Sequence, residues 1–427
     1  MRPELNRREL LLGGGIGLAA LAMPQALART PAQHLPAVNA LLDDLVRSGK
    51  LPGLVTSLAS GPGAPRFVSR GRIAFDDRSP MTPDTLFRIY SMTKVVTGMA
   101  AVELIARGKL RLDQPVADVL PKFARMQVLV SPDAPVDQVH PAKAQITMRN
   151  LLTHTAGLGY TVVQTGPIRK AYLAAGLGGG QVSREPLPGE ERSISAPGLA
   201  AFADRLAEMP LVYEPGTQWS YSLGLDLMGR VIEVVTGMPF DRYLRQTIFD
   251  PCGMVDTGFQ VPARKASRLA TNYGIKDGKL VPIDPGASSI YLDPPPMPWG
   301  GSGLVSSARD FDRFMAMVAG GGLSGRHRVL SVEAVALGTS NLLPPGAATR
   351  GTWMEGAGHG AGAQLGLGEK AGVLGWSGAA GTVFRIDCRR GIRAALYSQH
   401  MPTSAYALYD KFPKAAGSDL SAPQLAI

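Results

Sequence analysis

The chain has 427 residues, of which 45% are apolar and 18% charged, and carries a formal net charge of +10. That balance excludes a disordered chain and a membrane bundle, and leaves room for one large globular domain or two ordinary ones. Lysines and arginines are scattered and no nucleic-acid motif accompanies them, so a basic solvated surface accounts for the charge without a nucleic-acid partner.

The N-terminus reads as a targeting segment. Arg7 and Arg8 form a pair, an apolar run from Leu10 to Met23 follows, diluted by glycines, and Ala26-Leu27-Ala28 offers a small-x-small cleavage site. The stretch resembles a twin-arginine signal peptide over residues 1–28, which implies a periplasmic or secreted mature chain over 29–427. No later stretch is long enough to cross a bilayer, so the mature protein is expected to lack an integral membrane segment.

Helical spacing marks an amphipathic helix from about Leu35 to Gly49, and strands are expected at Leu54–Ala59 and Arg66–Ile73. A short extended run, Thr85 to Tyr90, leads into a helix from Ser91 to about Arg107. That helix is apolar nearly all round, which places it inside a core. Further helices are expected over Arg149–Leu152, Pro197–Met209, Gly224–Thr236 and Pro239–Ile248, with a glycine-bearing excursion from Leu158 to Arg192. After Gly300 the pattern changes. Helices at Asp310–Ala319 and Val332–Leu337 precede strands at Gly366–Leu374, Gly381–Cys388 and Ile392–Gln399. Together these predict an α/β composite: an antiparallel β-sheet flanked by helices (about 35–80 and 300–400) with an inserted, mainly helical region (about 85–299). Cys252 and Cys388 sit in apolar contexts and are expected as free, buried thiols.

Three segments carry chemistry. In Ser91-Met92-Thr93-Lys94 the serine and lysine are three apart, hence on one helix face, where the amine can reach the hydroxyl. Burial of a lysine disfavours its charged form, which suits it to act as a base, and a helix start favours developing negative charge at the serine. In Gln218-Trp219-Ser220-Tyr221-Ser222-Leu223 a tyrosine stands at a loop-to-helix junction, where it either offers its phenol to a cleft or merely packs. In Trp376-Ser377-Gly378-Ala379-Ala380-Gly381 small residues on an edge strand let backbone N–H groups approach a carbonyl. Those of Ser91 and Ala379 could form an oxyanion hole.

The order and content of these motifs resemble the serine β-lactamase-like superfamily, related to class C β-lactamases. The resemblance runs through Leu86-Phe87-Arg88-Ile89-Tyr90-Ser91-Met92-Thr93-Lys94, Ile146 to Leu158, the Tyr221 segment, Gly301 to Asp310 and Gly378 to Thr382. It covers nearly all of the chain after the signal segment and implies the fold of β-lactamases and penicillin-binding transpeptidases. Ser91 would be the nucleophile and Lys94 with Tyr221 its general base. Two departures matter. Where those families usually carry Tyr-x-Asn and Lys-Thr-Gly, this chain has Tyr221-Ser222-Leu223 and Trp376-Ser377-Gly378. The amide that would bind a substrate amide and the cation that would grip a carboxylate are replaced by apolar surface, with Leu223, Trp376, Ser377 and Gly378 expected to meet the substrate. This is similar to the family VIII carboxylesterases and implies hydrolysis of small uncharged esters through an acyl-enzyme. The competing readings are a β-lactamase or D-Ala-D-Ala carboxypeptidase, an acyltransferase of the same fold, and a non-catalytic binding protein. No Gly-x-Ser-x-Gly elbow exists to recruit His154 into a triad, so it is expected to be structural. The other histidines (His34, His140, His327, His359, His400) lack metal-ligand spacing, so neither metal nor cofactor is expected.

Overall fold

Strands from both ends of the chain pair into one antiparallel sheet. The chain enters it with β1 (Gly53–Ser60) and β2 (Arg66–Gly71), and leaves it for β3 (Leu86–Arg88) and β4 (Val305–Ser307), which pair with each other. It returns with β5 (Gly358–His359), β6 (Gln364–Leu365), β7 (Val373–Gly378), β8 (Thr382–Asp387) and β9 (Ile392–Tyr397). The seven-stranded order is β5-β6-β7-β8-β9-β1-β2, with Val55 of β1 opposite Tyr397 of β9. The computed structural model describes residues 34–185 and 194–427, so the signal-peptide reading of residues 1–28 lies outside the described residues. Among the described residues no helix is long and apolar enough to cross a membrane.

Both faces of the sheet are covered, and the period-two alternation of side chains divides the strands between two cores. Leu54, Leu58, Val383 and Leu396 face one core, closed by Leu42 and Leu45 of α1 (Pro36–Arg47) and by Phe412 of the last helix. Their sequence neighbours Val55, Phe384 and Tyr397 face the other and larger core. There α2 (Thr93–Ala106) is buried from Thr93 to Leu104, twelve of its fourteen residues, as its all-round apolarity required. Each fully buried Val, Leu or Met adds about 1.5–3 kcal/mol. Gly98 lets α2 approach the chain at Ala361, whose carbonyl oxygen would lie 2.2 Å from any Cβ there. The helical middle contributes α3 (Met148–Leu152), α4 (Gly166–Ala174), α5 (Leu199–Ala207) and α6 (Gly224–Thr236), followed by α7 (Ala308–Ala319) and α8 (Leu408–Asp419).

Three departures from expectation have a cause visible in the sequence. The excursion after Leu158 contains α4, whose short turn around Ile168 and Tyr172 gives too brief an apolar pattern to stand out. The terminal α8 carries Pro413 and Gly417 within it, which disguise its period. The strand expected at Gly366–Leu374 is displaced: β6 ends at Leu365, glycine-containing turns intervene, and β7 runs through Trp376-Ser377-Gly378 itself. Cys252 is buried, Cys388 half-buried, and both are free.

Candidate active site

β3 delivers the chain into a tight 3₁₀ turn, Tyr90–Met92, from which α2 starts at Thr93. Ser91 therefore lies in this turn, two residues ahead of the α-helix expected to begin with it. Tyr90 adopts φ 41°, a left-handed conformation that costs a non-glycine residue about 1–3 kcal/mol and persists only where the surroundings over-determine it. Here they do. The Ile89 N–H donates to the Leu304 carbonyl (3.0 Å), and the Asn272 amide donates to the Tyr90 hydroxyl (3.3 Å). Arg88 is fully buried and donates to Asp284 Oδ2 (2.7 Å), the Ala270 carbonyl (2.6 Å) and Ser289 Oγ (2.9 Å).

Ser91, Lys94 and Tyr221 converge. The Tyr221 hydroxyl bonds to Ser91 Oγ at 2.6 Å, and Lys94 Nζ donates to the same oxygen at 3.4 Å and to the Gly301 carbonyl at 2.8 Å. Lys94 is fully buried, while Ser91 keeps 9% of its surface exposed. Lys94 Nζ sits over the Tyr221 ring at 4.5 Å from its centroid and over the Tyr160 ring at 5.4 Å. Gly301 is itself held: its N–H donates to Asp226 Oδ1 at 2.8 Å. Burial raises the Asp226 carboxyl to about 6, with the charge of Lys94 pulling the other way. Asp226, Tyr160 and the role of Gly301 escaped the sequence reading. An aspartate set among Leu225, Leu227 and Met228 was the available signal.

The third segment closes against this group. Trp376 Nε1 donates to the Tyr221 hydroxyl at 3.4 Å. Of β7, β6 pairs only with Leu374 and Gly375, so the stretch Trp376–Gly378 runs on beyond that neighbour. Gly378 lies so close to the Ile89 carbonyl that a Cβ would stand 2.4 Å from it, which brings the strand end carrying Ala379 against the Ser91 turn. Ser377 is half-buried. Leu223 corrects one expectation: it is fully buried in the core at the start of α6 and offers no surface to a substrate.

His154 is buried, with Nδ1 at 2.9 Å from Ser222 Oγ, whereas the partners of Ser91 are Tyr221 and Lys94. A pocket of about 290 Å³ opens beside Tyr221, lined among others by Gln164, Tyr213, Trp219, Thr352 and Trp353, with no lysine or arginine among its lining residues. Trp353 escaped the sequence reading because its glycine-rich loop has no periodicity to read. Among the described residues no three His, Cys, Asp or Glu side chains cluster as metal ligands.

The Beta-lactamase family model matches residues 38–416. Esterase EstB of Burkholderia gladioli is 31% identical over 315 residues, covering 70% of this chain and 74% of its own. An uncharacterized protein of Mycobacterium tuberculosis is 33% identical over 304 residues, 71% of each chain. Among solved structures, EstCE1, described as a hydrolase with promiscuous acyltransferase activity, superposes with a TM-score of 0.72 at 25% identity over 89% of this chain and 97% of its own. A class C β-lactamase from Rhodobacter sphaeroides shares the fold at a TM-score of 0.60 and 22% identity, over 90% and 98% of the two chains. With the family model matching most of the chain and an esterase among the relatives, the chain belongs to the Beta-lactamase family as a serine hydrolase-type enzyme with esterase kin.

Proposed function

We propose that this protein hydrolyses uncharged carboxylic esters through an acyl-enzyme on Ser91. The observation that carries the reading is the 2.6 Å contact between the Tyr221 hydroxyl and Ser91 Oγ, with Lys94 Nζ 3.4 Å from the same oxygen. Ser91 Oγ attacks the ester carbonyl while its proton passes to the Tyr221–Lys94 pair. The backbone N–H groups of Ser91 and Ala379 receive the oxyanion. As the tetrahedral intermediate collapses, the C–O bond to the alcohol breaks and Tyr221 returns the proton to the leaving oxygen. Water, deprotonated by the same pair, then releases the acid. The Trp376 N–H, directed at the Tyr221 hydroxyl, supports charge developing on the phenol oxygen. The apolar Trp376 beside Tyr221, where β-lactamases and penicillin-binding proteins usually carry a lysine, favours a neutral ester over a substrate with a carboxylate to grip.

The test compares initial rates on p-nitrophenyl butyrate and nitrocefin, with Ser91→Ala and Tyr221→Phe as controls. Expected are fast ester cleavage, slight nitrocefin turnover and no activity in Ser91→Ala. A loss on the order of a hundredfold or more is expected in Tyr221→Phe. Dominant nitrocefin turnover would overturn the esterase reading. The name of EstCE1 motivates one added arm, in which a simple alcohol is supplied as competing acceptor. Ester product exceeding free acid would make the protein an acyltransferase first.

A further inference from the structure

Two buried histidines pack around Tyr221 and Trp376 without entering the chemistry just described. His154 lies edge-on to the Tyr221 ring (centroids 4.9 Å apart), and His359 lies edge-on to Trp376 (5.8 Å). The two imidazoles meet each other at 5.4 Å and nearly at right angles. His154 holds the chain on both sides of Tyr221. Its carbonyl accepts the Ser220 N–H at 2.9 Å, and its Nδ1 accepts the Ser222 N–H at 3.3 Å. It does this from φ 57°, a left-handed conformation rare outside glycine, just past the short helix α3, whose Thr147–Asn150 capping box fixes its start.

The hydrogen bonds determine where each ring carries its proton. Ser222 Oγ accepts the Gly224 N–H at 3.4 Å, which leaves its own proton for His154 Nδ1, 2.9 Å away. With Nδ1 accepting twice, the proton of neutral His154 sits on Nε2. His359 is the reverse: Nδ1 faces the Gly360 carbonyl at 2.8 Å and must donate, so its Nε2 is a bare acceptor. Both Nε2 atoms are buried without a partner, as is Trp219 Nε1, whose ring lies 6.4 Å from that of His359. His359 therefore presents an acceptor to a cluster holding two unmatched donors, each on a residue that frames Tyr221. Only with opposite tautomers does one of the two Nε2 atoms carry a proton while the other offers a lone pair.

We propose that His154 and His359 act together as positioning residues for Tyr221, held in opposite neutral tautomers, so that the segment Ser220–Ser222 aims the phenol at Ser91. This rests on the reading of Tyr221 as the proton carrier. Burial works in the same direction: it pushes the His359 imidazole down to about 4, and holds His154 well below its ordinary value, with the charges of His359 and Lys94 adding to the effect. Protonation of His154 would put a hydrogen on Nδ1 and break its grip on Ser222.

The test uses the whole protein labelled with ¹⁵N, together with His359→Gln and His359→Phe. Imidazole nitrogen shifts at pH 7 should report Nε2–H for His154 and Nδ1–H for His359; identical tautomers, or a charged ring, would overturn the proposal. Gln can place Oε1 where the Nε2 acceptor stood, whereas Phe fills the space with no acceptor. His359→Gln should keep kcat on p-nitrophenyl butyrate within about threefold, and His359→Phe should lower kcat about tenfold with KM within about twofold. Equal effects of Gln and Phe, or a loss confined to KM, would reduce the pair to packing. Should His359→Phe fail to fold, the tautomer measurement on the wild-type protein decides alone. Full activity in Tyr221→Phe would refute the role of Tyr221 while leaving the opposed tautomers in place, so the two failures are distinguishable.

Discussion

Beneath Ser91 the site is built from buried polar groups, each fixed by others: Arg88 on Asp284, Lys94 on Gly301, Gly301 on Asp226, Ser222 on His154. Its rim is built differently. Trp353 is 62% exposed and stands between Gly351 and Gly356, both with positive φ. Its loop is tied to the Tyr221 segment by two backbone bonds, Trp219 N–H to the Ala348 carbonyl (2.9 Å) and Ala348 N–H to the Thr217 carbonyl (2.8 Å). The floor has many mutually dependent contacts and the rim few, so changes in the floor should register as stability and turnover, and changes in the rim as substrate preference.

The floor gives the largest effect. Replacing Arg88 by Met leaves the buried Asp284 carboxylate without its cationic partner, and loss of one partner of a buried pair costs about 3–5 kcal/mol. Urea unfolding should show that loss, and the double replacement Arg88→Met with Asp284→Leu should recover part of it. A single variant as stable as the wild type would mean the turn before Ser91 is held by other contacts.

Asp226 comes next, and its effect has a sign. Its carboxyl titrates near 3.8 in the unfolded chain and about 6 in the folded one, because burial disfavours the carboxylate. The folded state therefore binds the proton more tightly, and this group's contribution to stability grows as pH falls from 7 towards 4, by up to about 3 kcal/mol. Unfolding free energies at pH 7 and pH 5 should show the wild type gaining on Asp226→Asn at the lower pH. A difference that does not change with pH would show that this floor carboxylate is solvated.

The same contrast explains what could be read beforehand. Regular burial leaves a period: the all-round apolarity of Val95, Val96 and Met99, and the alternation through Val383, Phe384 and Ile386, marked α2 and β8. The spacing of Ser91 and Lys94, and the motif around Tyr221, identified groups that do meet. The residues that support them left weaker traces. Asp226 is one polar position in an apolar helix, and its meaning depends on Gly301, seventy-five positions away. The left-handed backbone at Tyr90 and His154 has no composition to betray it, since neither residue is glycine. Leu223 was misassigned because a motif position says which residue follows Tyr221 but not which way it turns, and here it turns into the core.

The rim gives the smallest effect and the sharpest test of the contrast. The Trp353 ring lies 5.4 Å from Tyr221 and 6.2 Å from Trp219, tilted against both, so a planar group entering the pocket would meet aromatic faces. Such contacts add about 0.5–1.5 kcal/mol beyond area burial. Trp353→Ala should therefore lower kcat/KM for p-nitrophenyl esters about tenfold, almost wholly through KM, and affect the matching ethyl esters far less, because uniform binding is what is lost. If kcat falls instead, to the extent expected for Tyr221→Phe, then Trp353 is bracing the phenol. The pocket wall would then belong to the floor, and the division between chemistry below and selectivity above would have to be redrawn along the Trp219–Tyr221 stack.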